Sequence, residues 1–464
     1  MFFKHIYDES LAQGSYFIAC QKTKEAIVID AKRDIDTYLE IAAKKNFKIK
    51  YITETHIHAD YLAGSRELAA VTGASLYLSA EGGEEWQYEF PHHPLHDGDV
   101  LTVGNLKLEV IHTPGHTPES ISFLLTDCPA SDKPSMIFTG DFVFVGDVGR
   151  PDLLEQAAGI KGTSNQGAVQ MWNSLKRFEQ LPDYVQVWPA HGAGSACGKA
   201  LGAVPNSTVG YEKFQNWALQ YKDKDAFVRA LLEGQPEPPK YFAKMKQYNK
   251  VNRPLLIEVP KFPKLDKAQF LAAYQKGMTV IDARKKEDFA KAFIPKTINI
   301  EGNNSFSTWA GWVLDYDEQF MLVAEEDQIE DLTRKLMRIG LDNVFGYIEG
   351  IEDMGIAAQA ADIIGYEQMK AAVGRDDVQI LDVRGSTEYK AGHIPGADHI
   401  FVGVLQDHLD KISKEKQIIL HCQSGVRATV AYSILRKNGF DRVKNYAAGM
   451  ADWVKSRNNE NILA

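Results

Sequence analysis

Apolar positions along the chain come in short runs closed by Gly, Pro or charged residues. Ser15–Cys20 and Glu25–Asp30 read as neighbouring strands around the polar turn Lys22-Thr23-Lys24. From Ile35 to Lys45 the apolar residues take helical spacing, and Lys48–Thr53 reads as a strand again. Further strands are predicted at Leu106–Ile111, Ile121–Leu125, Ser135–Thr139 and Tyr184–Trp188, so the first half alternates strands with helix-like segments. A polar stretch from Gly234 to Pro263, containing Pro236-Glu237-Pro238-Pro239, reads as a linker.

Beyond it the chain repeats itself. Val280-Ile281-Asp282-Ala283-Arg284 matches Ile380-Leu381-Asp382-Val383-Arg384, Phe289 matches Tyr389, and Ile294-Pro295 matches Ile394-Pro395, all offset by 100 residues. Farther on, Gly340-Leu341-Asp342 matches Gly439-Phe440-Asp441, while Tyr347 and Gly350 match Tyr446 and Gly449, at an offset of 99. Two copies of one α/β unit explain this register. The expected organisation is residues 1–233, a linker at 234–263, and repeat copies at 264–358 and 359–464.

Composition narrows the partners. At 464 residues the chain exceeds one ordinary core, and a prior of about 150 residues per domain agrees with three. Its net charge of -10, without a basic tract or a basic and aromatic stripe, argues against nucleic acid or an anionic membrane. No apolar run approaches the roughly 20 residues of a membrane span. The start, Met1-Phe2-Phe3-Lys4-His5, runs directly into strand-like sequence without signal-peptide features. Four cysteines without paired spacing suit a reducing compartment, so the expected location is cytoplasmic.

Metal-type residues gather at the predicted strand ends. Thr55-His56-Ile57-His58-Ala59-Asp60-Tyr61 follows the strand ending at Thr53, and His116, Asp141 and His191 each lie past a later strand, beside Gly or Pro. Strand ends hold side chains firmly while their tips project into loops, and imidazole with carboxylate suits a divalent first-row metal. A lone histidine such as His5 or His112 is read as structural.

A second constellation sits in the later repeat copy. Ile418-Ile419-Leu420-His421-Cys422-Gln423-Ser424-Gly425-Val426-Arg427-Ala428 reads as strand, tight loop and helix. A cysteine at the start of such a loop faces backbone N–H groups and a helix N-terminus, so Cys422 is a candidate nucleophile and Arg427 a candidate anion clamp. Between them stand Gln423, Ser424, Gly425 and Val426, one residue fewer than in a tyrosine-phosphatase loop, a size that suits sulfane sulfur better than a phosphoryl group. In the earlier copy Ala324 stands near that cysteine's position and Glu325-Glu326-Asp327 replaces the anion-attracting loop, so this copy lacks the covalent chemistry.

The first 230 or so residues resemble the metallo-β-lactamase superfamily. Residues 365–463, with Asp382-Val383-Arg384, Gly392-His393-Ile394-Pro395 and Gly449-Met450-Ala451-Asp452-Trp453, resemble a rhodanese domain. The resemblance implies an α/β multidomain chain: an N-terminal αββα sandwich with its metal at one edge, followed by two rhodanese-like α/β domains. The order resembles persulfide dioxygenase/sulfurtransferase fusions. In such fusions one Fe(II) is held by the residues corresponding to His56, His116 and Asp141, with His58, Asp60 and His191 around it. The implied partners are a low-molecular-weight persulfide, dioxygen, and sulfite or thiosulfate, in a homo-oligomer of two or four chains.

The alternative is a glyoxalase II-like thioesterase with zinc, whose second metal needs a histidine where this chain has Tyr61, a poor replacement because a neutral phenol is a weak ligand. A sulfur relay with a degenerate metal domain is a further alternative. Gly146-Asp147-Val148-Gly149-Arg150-Pro151-Asp152 resembles the dioxygenase loop, in which Arg150 either holds Asp152 or attracts an anionic substrate. Cys197 corresponds to a cysteine near the iron in fused dioxygenases and reads, as residue chemistry alone, as a small buried hydrophobe.

Overall fold

The computed structural model describes residues 1–153, 155, 162–199, 201–352 and 354–463, the final helix with side chains to 458. It divides into two units, one of Met1–Val259 with Arg334–Gly340, the other of Pro260–Thr333 with Leu341–Ala464.

The first unit contains two six-stranded sheets. One carries Phe2–Asp8, Gln13–Ala19, Glu25–Ile29, Lys48–Thr53, Ser75–Ser79 and His93–Leu95 in sequence order; the other runs from Ser207–Thr208 through Gln186–Pro189, Met136–Gly140, Ile121–Asp127 and Leu106–His112 to Val100–Val103. The strand Glu25–Ile29 explains how they stack. Its alternate residues serve two cores: Ala26 and Val28 pack with Tyr38 and Leu68, whereas Ile27 and Ile29 meet Leu108, Phe123 and Phe138 of the opposite sheet. A period of two with both faces apolar is what a strand inside a layered sandwich requires. On the far side of the second sheet, Ala168, Met171 and Leu175 of the helix Thr163–Phe178 cover Ile137 and Val187. The layers are therefore helix, sheet, sheet, helix.

Within the stretch read from composition as a linker, Tyr241–Lys250 is a helix with Tyr241, Phe242, Met245 and Asn249 buried. The four lie on one face at helical spacing, so burial overrides the polar, Pro-rich surroundings. Arg338 also belongs to this unit, through ion pairs with Asp8 at 2.7 Å and Asp34 at 2.5 Å.

The second unit holds two four-stranded parallel sheets of identical order. Ile298–Asn299, Thr279–Asp282, Phe320–Val323 and Val344–Ile348 correspond to Asp398–His399, Val378–Asp382, Gln417–His421 and Val443–Tyr446. The repeated Asp-x-Arg has a physical basis. Arg284 bonds Asp282 at 2.6 Å and the Ala292 carbonyl at 2.9 Å, and Arg384 bonds Asp382 at 2.6 Å and the Gly392 carbonyl at 2.7 Å, closing the same loop in both copies. The copies pack through the helix Val426–Lys437, whose Ser433 hydroxyl accepts the Asn299 N–H at 3.1 Å and whose Lys437 reaches Thr279 at 2.8 Å.

Among the described residues no helix is long and apolar enough to cross a membrane.

Candidate functional site

In the first unit, His56, His116 and Asp141 lie beyond the strands Lys48–Thr53, Leu106–His112 and Met136–Gly140. Their ligand atoms fall within 4.8 Å of one another, and all three residues are buried. His116 Nε2 is 3.4 Å and His56 Nε2 3.8 Å from Asp141 Oδ2. The approach depends on Gly140, at φ +54°, where a Cβ would stand 2.5 Å from Thr55 Oγ1. Neither carboxylate oxygen of Asp141 nor Nε2 of His56 has a hydrogen-bond partner. Buried polar atoms left in this state cost several kcal/mol unless a cation satisfies them, so this donor set fits a divalent metal.

The hydrogen bonds behind these residues fix their tautomers. Thr55 donates its hydroxyl to Asp30 Oδ2 at 2.9 Å, so its oxygen accepts from His56 Nδ1 at 3.0 Å, leaving Nε2 with its lone pair. His116 donates Nδ1–H to the Arg150 carbonyl at 2.9 Å, which frees its Nε2, and His191 donates Nδ1–H to the Ala12 carbonyl at 3.0 Å. Such partners orient ligands and raise their basicity. Burial pushes the His56 imidazole well below its ordinary pKa, reinforced by His58, His116 and His191, and burial also lowers His116 despite Asp141. Both are thus neutral, as ligation requires.

Asp30 is the residue that sequence reasoning did not single out. It ends the strand Glu25–Ile29 at φ +56° and also accepts the Thr55 N–H at 2.7 Å and His58 Nε2 at 3.1 Å. His58 does not join the ligand trio. Burial opposes its protonation, but the Asp30 charge and hydrogen bond outweigh this and lift its pKa to about 9. The available signal for Asp30 was its position at the end of the strand Glu25–Ile29. Asn249 was also missed; its amide donates to the carbonyls of His58 and Tyr61 at 2.8 and 2.7 Å.

Tyr61 is fully buried and donates its hydroxyl to the Asp30 carbonyl at 3.2 Å. Burial, then the Asp30 and Asp60 charges, hold the phenol protonated, well above its usual range. Arg150 is wholly buried too. It grips Asp152 through Nε at 2.8 Å and Nη2 at 2.6 Å and donates Nη1–H to the Ala196 carbonyl at 3.4 Å, while its own carbonyl holds His116. Asp60, His191 and Cys197 make a second buried group, again with ligand atoms within 4.8 Å. His191 Nε2 is 3.2 Å from Asp60 and 3.5 Å from Asp141 Oδ1; burial disfavours its cation, but Asp141 and Asp60 raise the pKa well above the ordinary value. Burial pushes the Cys197 thiol up to about 12.

In the second unit, Cys422 follows the strand Gln417–His421 and is buried at the head of the loop. Gly425, at φ +91°, turns its N–H onto Cys422 Sγ at 3.1 Å, and the helix begins at Val426. Gln423 and Ser424 lie exposed on the loop. The Arg427 guanidinium makes a two-pronged ion pair with Glu388, Nη2 to Oε1 at 2.8 Å and Nη1 to Oε2, and also hydrogen-bonds the Cys422 sulfur. Burial works against its charge, Glu388 restores it, and the sulfur of Cys422 is within its electrostatic reach. In the other copy Ala324 is buried at the corresponding strand end and Glu326 pairs with Lys264 at 3.1 Å. All four cysteines are free thiols.

A family model of the metallo-beta-lactamase superfamily matches residues 11–191, and one of the rhodanese-like domain matches 366–456. The crystal structure of a metallo-beta-lactamase from Staphylococcus aureus subsp. aureus COL is 42% identical, covers 75% of this chain and 99% of its own, and superposes with a TM-score of 0.69. The hydroxyacylglutathione hydrolase of Methylobacillus flagellatus is 30% identical over 39% of this chain and 62% of its own length. The mitochondrial persulfide dioxygenase of Bos taurus is 27% identical over 40% of this chain and 67% of its own.

Proposed function

Because the chain belongs to the metallo-beta-lactamase superfamily and carries a C-terminal rhodanese-like domain, we propose that it is a persulfide dioxygenase with sulfurtransferase activity. A low-molecular-weight thiol persulfide, dioxygen and water give thiol, sulfite and two protons. The observation that carries this reading is the pairing, on one chain, of a two-histidine, one-aspartate cluster with a cysteine loop suited to sulfane sulfur. When bound by His56, His116 and Asp141, a ferrous ion supplies open positions for a persulfide and dioxygen together. The protein's part is to keep His56 and His116 neutral and aimed, through Thr55 with Asp30 and through the Arg150 carbonyl. Tyr61, whose proton is committed to Asp30, supports a single-metal site.

Cys422 then carries sulfur. A Cys422 persulfide anion is attacked at its outer sulfur by sulfite; the S–S bond breaks, its electron pair returns to Sγ as thiolate, and thiosulfate leaves. The reverse exchange uses the same atoms. Covalent carriage divides the transfer into two easier displacements.

One observation favours a second reading. The Asp60, His191 and Cys197 cluster offers a second donor set for a metal, and the hydroxyacylglutathione hydrolase resemblance agrees with a thioesterase. Anaerobic metal analysis joined to oxygen uptake with glutathione persulfide tests the choice. About one iron per chain and persulfide-dependent uptake are expected; two zinc ions with thioester cleavage and no oxygen consumption would overturn the dioxygenase.

A further inference from the structure

The Cys422 loop exchanges a sulfur oxyanion, under the sulfurtransferase reading, and the arginine of its own loop is divided between Glu388 and the Cys422 sulfur. A second cation reaches the loop from the other repeat copy. Lys286, at the start of the helix Lys286–Lys291, extends its ammonium to the Ser424 carbonyl at 3.1 Å. One of the three ammonium protons satisfies that carbonyl and the others remain to meet a ligand. Its carboxylate neighbour, Glu287 at 3.7 Å, has a side chain 61% exposed, so water weakens that attraction. The corresponding position in the copy bearing the cysteine is the uncharged Ser386.

We propose that Lys286, supplied by the copy that lacks the cysteine, is the specificity-determining cation that receives the sulfur oxyanion exchanged at Cys422. This gives the Ala324 copy a chemical task. It retains the fold that places a lysine against its neighbour's loop while carrying no nucleophile of its own. Arg427 holds Glu388 and the Cys422 sulfur, and Lys286 presents a second charge to the incoming anion. In the forward step sulfite approaches the outer sulfur of the Cys422 persulfide; in the reverse step the sulfonate end of thiosulfate occupies the same place while Cys422 thiolate takes the outer sulfur and sulfite departs.

The test uses the full chain and Lys286→Gln and Lys286→Arg variants. With thiosulfate as donor and cyanide as acceptor, Lys286→Gln is expected to raise KM for thiosulfate about tenfold, with a much smaller change in kcat and a flatter dependence on ionic strength. Lys286→Arg restores most of the loss. Independently of turnover, alkylation of Cys422 is followed by peptide mass with anionic iodoacetate and neutral iodoacetamide. The ratio of the two rates should fall about tenfold in Lys286→Gln. An unchanged ratio, or equal slowing by both reagents with kcat falling in step, overturns the proposal by making Lys286 a brace for the Ser424 carbonyl. Should the wild type transfer no sulfur while the ratio still depends on Lys286, the sulfurtransferase reading fails and the anion-receiving role stands.

Discussion

Asp30→Asn changes one atom and should disturb the metal centre through two residues. In the wild type the Asp30 carboxylate accepts the Thr55 hydroxyl, and the Thr55 oxygen accepts His56 Nδ1–H, so Nε2 keeps its lone pair. An asparagine that still accepts the Thr55 N–H must turn its NH2 toward the Thr55 hydroxyl. The hydroxyl then donates to His56 Nδ1, and the His56 proton moves to Nε2, where it blocks ligation. Loss of such a supporting partner costs about 10–100-fold in metal affinity, or about 1.4–2.7 kcal/mol. The same change removes the charge that lifts His58 to about 9. From an unfolded value of about 6.5, that lift corresponds to about 3 kcal/mol. Because the folded pKa is the higher one, this stability is fully present below about pH 6.5 and is lost as pH rises through about 9. Anaerobic competition of Fe(II) between the protein and a chelator measures the first effect. Urea unfolding of the chelated protein at pH 6 and about 9.5 measures the second, and the variant should lose most of the wild-type difference. Metal affinity within threefold of wild type, together with an unaltered pH dependence of stability, would refute the reasoning.

Three further outcomes are expected. Cys422→Ser should abolish sulfur transfer to cyanide or sulfite while leaving persulfide-dependent oxygen uptake, whereas His116→Ala should lose bound metal and oxygen uptake and keep the transfer; metal analysis and the two assays separate them. Gly425→Ala forces a side chain into φ +91° with its Cβ 2.2 Å from the Ala447 carbonyl, so a stability loss of about 2 kcal/mol or more and failed sulfur transfer are expected in thermal unfolding and thiosulfate–cyanide assays. Tyr61→Phe deletes one hydrogen bond to the Asp30 carbonyl; it should cost about 1 kcal/mol in urea unfolding and leave oxygen uptake in place.

The sequence by itself determined the strand ends, the clustering of metal-type residues after them, the repeat and the Cys422 loop. Each of these is local. Apolar runs put strand ends at Thr53, Ile111 and Thr139, within one residue of the observed Thr53, His112 and Gly140, and Asp282 and Asp382 stand in register because each ties down an arginine two residues on. Tertiary structure decided which side chains answer one another. Asp30 meets Thr55 and His58 because the strands Glu25–Ile29 and Lys48–Thr53 pair in parallel, a neighbourhood that no local spacing encodes. Asn249 comes to Tyr61 from a stretch whose composition suggested only a linker, and Glu388 pairs with Arg427 from 39 positions away. The physical reason is that hydrophobic period selects elements over a few residues, whereas a buried polar atom takes whatever partner the assembled layers bring within about 3 Å.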